Sequence, residues 1–458
     1  MPRNVRSVFI MGFVALLFIG VAQASGPSTV YFGGPILTMD ERTPVVEALA
    51  TNGSRVIAAG KLANMRWLIR PDTRMVDLAG RALMPAFVDA HTHIFNAAGA
   101  LGLTLEQAQE ELLENGITAV GNMFVKPEFL ATMQGFAATG ALKVRTSLYL
   151  SYNNPCGDVL GEWYLALPPQ KNRSLRLRTP GVKVFTDGGS CNSPAVTFPY
   201  PDGSYGDLYF TGDELAEIIR HAQRAGYQVA LHSSGDRSRD VALEALSDAL
   251  GRAPNLFRHR IEHNSLIRPD QIPRYGGVTR MRRFLDSRPV VTIWGAAQTC
   301  WEEEGYGWRG VLPPEDLDWY WPWKDLLAAN PGLHAAWHGD VRGGSELSEQ
   351  SPLTGLWGFV TRRQVAEDGS ICEPEPYMAS QTLPVAQALR LMTWEGAYAL
   401  GMDSAIGSLT AGKFADMVLL SADPLTVGAD EIKDIQVLAT AVGGEWLYCA
   451  AGVTLCSP

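Results

Sequence analysis

Two histidines, His91 and His93, stand at the end of an apolar stretch that runs from Pro85 to Ala90. Residues two apart on a β-strand point to the same face, so both imidazoles can reach one metal ion. The alternative is two unrelated histidines on a half-buried strand. Because the chain has only eight histidines among 458 residues, a pair at this spacing favours a metal site.

Further polar residues lie within or at the end of other apolar runs: Lys183, His232, His263 and Asp340. Each has a structural explanation when taken alone, since a lysine can form a salt bridge, a histidine can donate a hydrogen bond and an aspartate can cap a helix. Taken together, four histidines, one lysine and one aspartate can hold one or two divalent metals. We therefore predict a metal centre built by these six residues.

The remaining polar residues near these runs receive other assignments. His338 lies two positions before Asp340 on the same strand face, so we predict that it lines the pocket. Asp187 and Asp236 are predicted to be loop or capping residues. His221 and His334 are predicted to have structural roles.

Strands that alternate with amphipathic helices must position these side chains. The strand candidates, in chain order, are Ala82–His91, Ile117–Phe124, Val144–Leu150, Val182–Phe185, Val229–His232, Arg260–His263, Val290–Trp294 and Ala335–His338. Eight β/α units predict an α/β protein with a (β/α)8 TIM-type barrel, whose active-site face lies at the carboxyl ends of the strands. The predicted ligands come from the ends of strands 1, 4, 5, 6 and 8.

Short apolar runs and turn residues flank the barrel on both sides. They predict a composite β-sandwich from residues 25–84 and 402–458, beside a barrel domain of residues 85–401.

The N-terminus has a different pattern. Arg3 and Arg6 precede an apolar run, and Ala22-Gln23-Ala24 then matches a signal peptidase site. Residues 1–24 are therefore predicted to be a signal peptide, and the product to be exported, either periplasmic or secreted. An uncleaved membrane anchor is the weaker alternative because the apolar run is shorter than a bilayer requires.

Composition limits the possible partners. Hydrophobic residues make up 46% of the chain and charged residues 19%, with a net charge of −10 and no basic stripe. Nucleic acid and stable membrane insertion after signal cleavage are not expected. Six cysteines in an exported chain allow disulfides, and only the local pair Cys449 and Cys456 is predicted from its spacing. The sequence leaves a homo-oligomer open.

Tryptophan is concentrated after predicted strand 7, beginning with Trp294, Trp301 and Trp308. One interpretation is a loop that packs over the barrel through its aromatic rings. The other is an aromatic substrate pocket that includes Trp294 and Trp301, suited to a hydrophobic or cationic group.

The order of these motifs resembles the amidohydrolase superfamily, and within it the family 3 branch of N-substituted formamide deformylase-like enzymes. The resemblance rests on Phe87–His93, Val182–Gly188, Leu231–Arg237, Arg258–His263 and Gly407–Asp416. Ala86 stands where the family usually has glycine, and Gly339-Asp340 replaces its common Ser-Asp. Neither departure removes a ligand.

The resemblance implies particular roles. His91, His93 and Asp340 would bind the more buried metal, His232 and His263 the second, and Lys183 would bridge both as an N6-carboxylysine. A metal-bound hydroxide would attack the carbonyl carbon of a small-molecule substrate, whose amide-type C–N bond then breaks, and Asp340 would carry the proton to the leaving nitrogen. Zinc is the default metal, although manganese, iron or nickel could substitute.

Two alternatives remain. A mononuclear deaminase of the same superfamily usually has His-x-x-Glu after strand 5, whereas here His232 is followed by Ser233-Ser234-Gly235-Asp236. A non-catalytic exported binding protein on the same scaffold would be free to lose ligands, yet all six are present.

Overall fold

The computed structural model describes residues 29–277, 287–295, 300, 311–341, 351–366 and 368–456. The predicted signal peptide (residues 1–24), Trp301 and Trp308 lie outside these ranges, so the predictions that concern them stay untested. Within the ranges, no helix has both the length and the hydrophobicity needed to cross a bilayer.

Five short strands begin the described chain. They are β1 (Thr29–Leu37), β2 (Val45–Asn52), β3 (Arg55–Gly60), β4 (Arg74–Asp77) and β5 (Ala82–Pro85). A one-turn helix and a short 3₁₀ turn lie between β3 and β4.

The next eight strands pair in parallel and in chain order. They are β6 (Phe87–Thr92), β7 (Ile117–Val125), β8 (Arg145–Ser151), β9 (Leu177–Phe185), β10 (Gln228–Ser233), β11 (Arg260–His263), β12 (Val290–Trp294) and β13 (Ala335–His338). Backbone hydrogen bonds join the two end strands, from the Asp340 N–H to the His91 carbonyl (3.0 Å) and from the His93 N–H to the Val341 carbonyl (2.8 Å). The predicted eight-stranded barrel is confirmed.

The last strands return to the N-terminal sheet. After the two-stranded hairpin of β14 (Gln364–Val365) and β15 (Ile371–Cys372) come β16 (Met417–Leu420), β17 (Val437–Val442) and β18 (Glu445–Cys449). β16 pairs with β5, so the sheet runs β18-β17-β16-β5-β1-β2-β3, with β4 beside β1. The two terminal segments thus meet in one eight-stranded sheet, while the domain boundaries at residues 84 and 402 stay predictions.

The strand predicted over Ala82–His91 is in fact two strands. β5 belongs to the terminal sheet and β6 to the barrel, and the chain changes sheets at Ala86. The Ala86 N–H donates to the Asp416 carbonyl (3.1 Å), whereas the Phe87 N–H donates to the Gly116 carbonyl (3.0 Å). An unbroken apolar run cannot show this change because both halves are buried.

Helices follow most barrel strands. The helices are α1 (Leu62–Met65), α2 (Ile94–Ala97), α3 (Leu105–Glu114), α4 (Pro127–Ala138), α5 (Gly212–Arg224), α6 (Asp236–Leu250), α7 (Trp323–Ala329), α8 (Pro352–Thr361), α9 (Pro376–Ala379), α10 (Val385–Arg390) and α11 (Gly396–Ala399). A π-helical turn, Leu391–Glu395, joins α10 to α11. Capping boxes at Thr104 and Thr211 begin α3 and α5, because each threonine accepts a backbone N–H that the helix itself cannot satisfy.

A buried ion pair attaches the terminal sheet to the barrel. Arg145 at the start of β8 donates to both carboxylate oxygens of Asp416, at 2.7 and 3.0 Å. Asp416 also accepts the Gly443 N–H at 2.8 Å. A two-point contact of this kind fixes geometry as well as charge.

All six cysteines form disulfides. The predicted local bridge, Cys449–Cys456, is confirmed. Cys156–Cys191 joins the segments that follow β8 and β9, and Cys300–Cys372 joins residues far apart in the chain. These two pairings depend on which loops meet, so spacing alone could not predict them.

Candidate metal centre

The carboxyl ends of β6 and β13 bring three predicted ligands together. One carboxylate oxygen of Asp340 lies 3.5 Å from His91 Nε2 and 3.4 Å from His93 Nε2. The two histidine Nε2 atoms are 3.4 Å apart. Three donor atoms therefore surround one point at the barrel mouth, as binding of a single ion requires.

A second group shares the same aspartate. The other carboxylate oxygen of Asp340 lies 3.9 Å from His263 Nδ1, and donor atoms of His263, His338 and Asp340 lie within 4.8 Å of one another. His338 was predicted only to line the pocket, but the structure places it among the candidate ligands. Its ring is 5.4 Å from that of His91 and 5.2 Å from that of His263.

His232 lies beside this group. Its ring centroid is 4.6 Å from that of His263, but its Nε2 donates to the Gly188 carbonyl at 2.9 Å and is 3.5 Å from an Asp187 carboxylate oxygen. His232 therefore reaches the centre with that nitrogen already engaged, and its role as a ligand stays a prediction.

Lys183 projects into the barrel without a polar partner. Its side chain is fully buried, and its Nζ makes no hydrogen bond and lies 4.9 Å from the Phe185 ring. Burial lowers the pKa of Lys183 to about 8, although Glu262 and Asp340 raise it. A buried amine without an acceptor is costly, so this atom fits a group supplied from outside the chain.

Four imidazoles of the centre, those of His91, His232, His263 and His338, are held in the neutral form that ligates metals. Burial and Lys183 lower the pKa of His232 to about 3, and burial lowers that of His338 to about 4. Burial also holds the pKa of His91 and of His263 well below the usual value of 6.5.

Backbone strain is concentrated at the same place. His263, Asn264 and Asp340 have φ values of 68°, 56° and 51°, in the left-handed region that residues other than glycine rarely adopt. The Asn264 side chain holds this turn by donating to the carbonyls of Ile261 (2.9 Å) and Thr292 (3.0 Å). Strain of this kind persists where the surrounding structure enforces it and is common at functional sites.

Glu262 and Arg260 support the centre, and the sequence reasoning missed both. His91 Nδ1 is 2.6 Å from Glu262 Oε2, which leaves His91 Nε2 facing Asp340. Burial opposes ionisation of Glu262, but the Arg260 guanidinium, 2.6 Å away, holds its pKa well below the usual range. A carboxylate behind a ligating histidine fixes its tautomer and orientation. The sequence signal that could have identified them is the alternation of Arg260 and Glu262 on β11, within the motif Arg258–His263.

The residues predicted to have structural roles make polar contacts near the centre or away from it. Asp187 accepts backbone N–H groups from Ala195, Ser234 and Gly235. Asp236 is the first residue of α6 but does not cap it, since its carboxylate accepts from Thr197 and Arg268. His334 pairs with Glu395, and His221 with Glu162 and Glu217.

An aromatic series adjoins the centre. Trp294 at the end of β12 stacks on His338 with ring centroids 5.6 Å apart, and it lies 6.1 Å from Trp321. Trp321 and Trp323 are buried and stack on each other, so they pack the core. His338 and Trp294 are the two predicted pocket residues that the structure describes, and their side chains are therefore adjacent.

The donors fit a divalent metal. Lys183 Nζ, His263 Nε2 and both ring nitrogens of His338 are buried without hydrogen-bond partners, while Asp340 supplies the anionic oxygens. Imidazole and carboxylate are the ligands that zinc and other first-row divalent metals prefer. The fold and these residues define a TIM-type barrel protein with a candidate metal centre at its mouth.

Comparison with known proteins identifies the family. The sequence profile of the amidohydrolase family matches residues 99–448. The chain therefore belongs to the amidohydrolase family, and the resemblance drawn from its motifs is confirmed.

Individual relatives are more distant. The chain is 28% identical over 284 residues to an N-substituted formamide deformylase of Arthrobacter pascens, a match that covers 61% of this chain and 47% of that protein. It spans about half the length of this and two further curated relatives. A probable guanine deaminase of Deinococcus radiodurans is 25% identical over 371 residues, 76% of each chain.

Solved structures share the fold. An uncharacterized metal-dependent hydrolase from Pyrococcus horikoshii superposes with a TM-score of 0.71 at 20% identity, covering 88% of this chain and 99% of that one. At this identity the similarity establishes the architecture alone.

Proposed function

We propose that this protein is a metal-dependent hydrolase that cleaves an amide-type C–N bond of a small molecule. The observation that carries the proposal is the convergence of His91, His93 and His263 on the two carboxylate oxygens of Asp340. Membership of the amidohydrolase family, and its relative named as a formamide deformylase, support the reaction class.

Residues of this chain would hold one or two ions, with zinc as the default. His91, His93 and Asp340 would hold the first, and His263 the second, together with His232 as predicted or with the nearby His338. The metal, when bound, would polarise the substrate carbonyl and lower the pKa of a water molecule to near neutrality.

Asp340 would move the proton. Its carboxylate is nearly buried at the centre of the imidazoles, where it can accept a proton from the attacking water and deliver it to the leaving nitrogen. Its strained backbone holds the carboxylate at this position.

Lys183 would act as an N6-carboxylysine. In its neutral form the amine nitrogen would attack carbon dioxide, forming a C–N bond and releasing one proton to give an anionic carbamate. The ammonium form must first lose a proton of its own, so conversion of the poor cationic ligand into the anionic one releases two protons. The buried, unpartnered Nζ supports this assignment. Mass spectrometry under native conditions should show the addition of one carbon dioxide, and its loss in Lys183→Met.

The protein would be exported, periplasmic or secreted. The N-terminal pattern predicts this location, and three disulfides suit an oxidising compartment. The location can be tested by expressing the protein with a C-terminal tag, fractionating the cells and sequencing the N-terminus of the product. We expect cleavage after Ala24.

A metal-dependent deaminase is the second candidate, because a relative named a probable guanine deaminase matches 76% of the chain. The residue three positions after His232 is Gly235, which cannot supply the glutamate expected of such a site. Assaying ammonia release from aminopurines beside acid release from amides separates the two reactions.

The test of the proposal is a panel of N-formyl, N-acyl and cyclic amides with metal-loaded protein. We expect hydrolysis of at least one class, and a loss of at least about 100-fold in kcat for Asp340→Asn. Asp340→Asn should keep most of its metal because the histidines remain. Unchanged activity in Asp340→Asn would rule out its role, and no hydrolysis across the panel would contradict the proposed reaction.

A further inference from the structure

Arg362 is a buried cation without a partner. It follows α8 with a left-handed backbone (φ 59°), and its side chain is fully buried. Nε, Nη1 and Nη2 all lack a hydrogen-bond acceptor. The whole donor set of a guanidinium is therefore unused, although this group can donate five hydrogen bonds.

The other fully buried arginines make a direct contrast. Among the described residues exposed by less than 2% are three arginines: Arg239, Arg260 and Arg362. Arg239 donates to Asn264 Oδ1 at 3.0 Å and the Ser233 carbonyl at 2.6 Å, and Arg260 binds Glu262. Because this chain anchors its other buried guanidinium groups, the open donors of Arg362 call for an acceptor from outside it.

Arg362 keeps its charge. Burial lowers its pKa to about 10, so it remains a cation at neutral pH. Its surroundings are aromatic, with the Cζ atom 5.7 Å from the Trp321 ring. An aromatic face can tolerate a cation, but it leaves the N–H groups of the guanidinium edge available for an anion.

The aromatic series connects Arg362 to the metal centre. From His338 the steps run 5.6 Å to Trp294, 6.1 Å to Trp321 and 5.7 Å to the Arg362 guanidinium. Trp294 is half-buried, whereas Trp321 is buried. The cation therefore lies at the far end of a row of contacting aromatic rings that begins beside a candidate metal ligand.

We propose that Arg362 binds a carboxylate of the substrate, so that the protein acts on amides whose amine part ends in a carboxylate. This inference rests on the proposed function. The carboxylate would accept two parallel N–H bonds from the guanidinium, while the aliphatic or aromatic body of the substrate packs on Trp294. A carboxylate also neutralises a charge that the fold otherwise leaves buried and unpaired.

Matched substrates and variants test this assignment. N-acetyl-ω-amino acids with chains of two to six carbons are compared with N-acetylalkylamines of the same length, which lack the carboxylate. The proteins are wild type, Arg362→Met, Arg362→Gln and the control Arg363→Met. Arg363 is the next residue in the chain, but it is partly exposed and pairs with Glu373 and Asp430. Its substitution therefore does not affect the aromatic series.

We expect the wild type to favour at least one acid over its neutral partner by about 100-fold in kcat/KM, the size of a lost charge-assisted hydrogen-bond pair. Arg362→Met and Arg362→Gln should lose this preference while turnover of the neutral amides changes by less than about 3-fold. Arg363→Met should behave as the wild type. Equal turnover of acid and neutral amides by the wild type would overturn the proposal, as would a preference that survives both Arg362 variants.

Binding of the acids measured by calorimetry tests the carboxylate site independently of the proposed reaction. If the wild type hydrolyses no amide, the reaction is wrong, but the acids should still bind to it and not to Arg362→Gln. Absence of binding by every acid would refute the carboxylate site itself. Removing an unpaired buried charge should also raise the melting temperature of ligand-free Arg362→Met, which shows that any loss of binding is not caused by misfolding.

Discussion

Two layers of buried polar side chains lie in the same barrel and differ in one respect. The inner layer, Tyr149, Gln228, Arg260 and Glu262, is saturated: Arg260 binds Glu262, Tyr149 donates to Gln228 (2.5 Å), and Gln228 donates to the Ala399 carbonyl (3.0 Å). The mouth layer, Lys183, His263 and His338, is equally buried but leaves four nitrogens unpaired. Saturated networks stabilise a fold, whereas unpaired buried donors mark the place of a ligand.

The largest effect should come from breaking the inner layer. Glu262→Gln leaves the Arg260 charge buried and unpaired, so we expect the metal-free protein to lose about 3–5 kcal/mol of apparent unfolding free energy. Urea denaturation in the presence of a chelator measures it. His338→Leu, in the mouth layer, is the matched control and should not destabilise. Equal losses in both variants would remove the distinction between the layers.

A mouth-layer substitution should act in the opposite direction. Lys183→Met removes a buried amine without an acceptor. The free energy of unfolding of the metal-free protein should therefore rise by about 1–3 kcal/mol. The same variant should bind metal more weakly, because its donor is gone. Urea denaturation without metal and competition with a chelator measure the two effects, and a Lys183→Met protein that is less stable without metal would show that the amine has a structural partner.

The smallest effect concerns a buried histidine outside the centre. His259 Nδ1 accepts the Val229 N–H at 2.9 Å, and burial lowers the pKa of His259 to about 3. Its unfolded pKa is about 6.5, so the unfolded state binds the extra proton, and stability should fall as the pH drops from about 6.5 towards 3. His259 alone changes the free energy of unfolding by at most about 1.4 kcal/mol per pH unit.

His259→Gln provides the check for this slope. Glutamine can accept the same N–H but does not titrate, so urea midpoints between pH 7 and 5 should fall less steeply than in the wild type. Identical slopes would mean that His259 is not held neutral in the folded state.

The sequence predicts strands well where the pattern is local. β11, β12 and β13 have the predicted bounds, and the six residues predicted as ligands all lie on or just after the barrel strands, while their roles as ligands stay predictions. Apolar runs and residue spacing are enough for these because parallel strands share one carboxyl edge.

The sequence fails where the answer depends on distant residues or on backbone strain. Alternation along β11 puts Glu262 and His263 on opposite faces, but the positive φ of His263 turns its ring back over the mouth while Glu262 reaches His91. The importance of His338 appears only when its missing hydrogen bonds are visible. The same holds for Arg362, which the sequence presents as one of two adjacent arginines after a helix.

The most direct test of the central claim is the metal content of the purified protein, measured by plasma mass spectrometry after incubation with Zn²⁺ and removal of free metal. We expect about one or two equivalents in the wild type and in His259→Gln. We expect at least a tenfold reduction in a His91→Gln, His263→Gln double variant that remains folded. A wild-type protein that retains no metal, or a double variant that retains as much as the wild type, would contradict the claim.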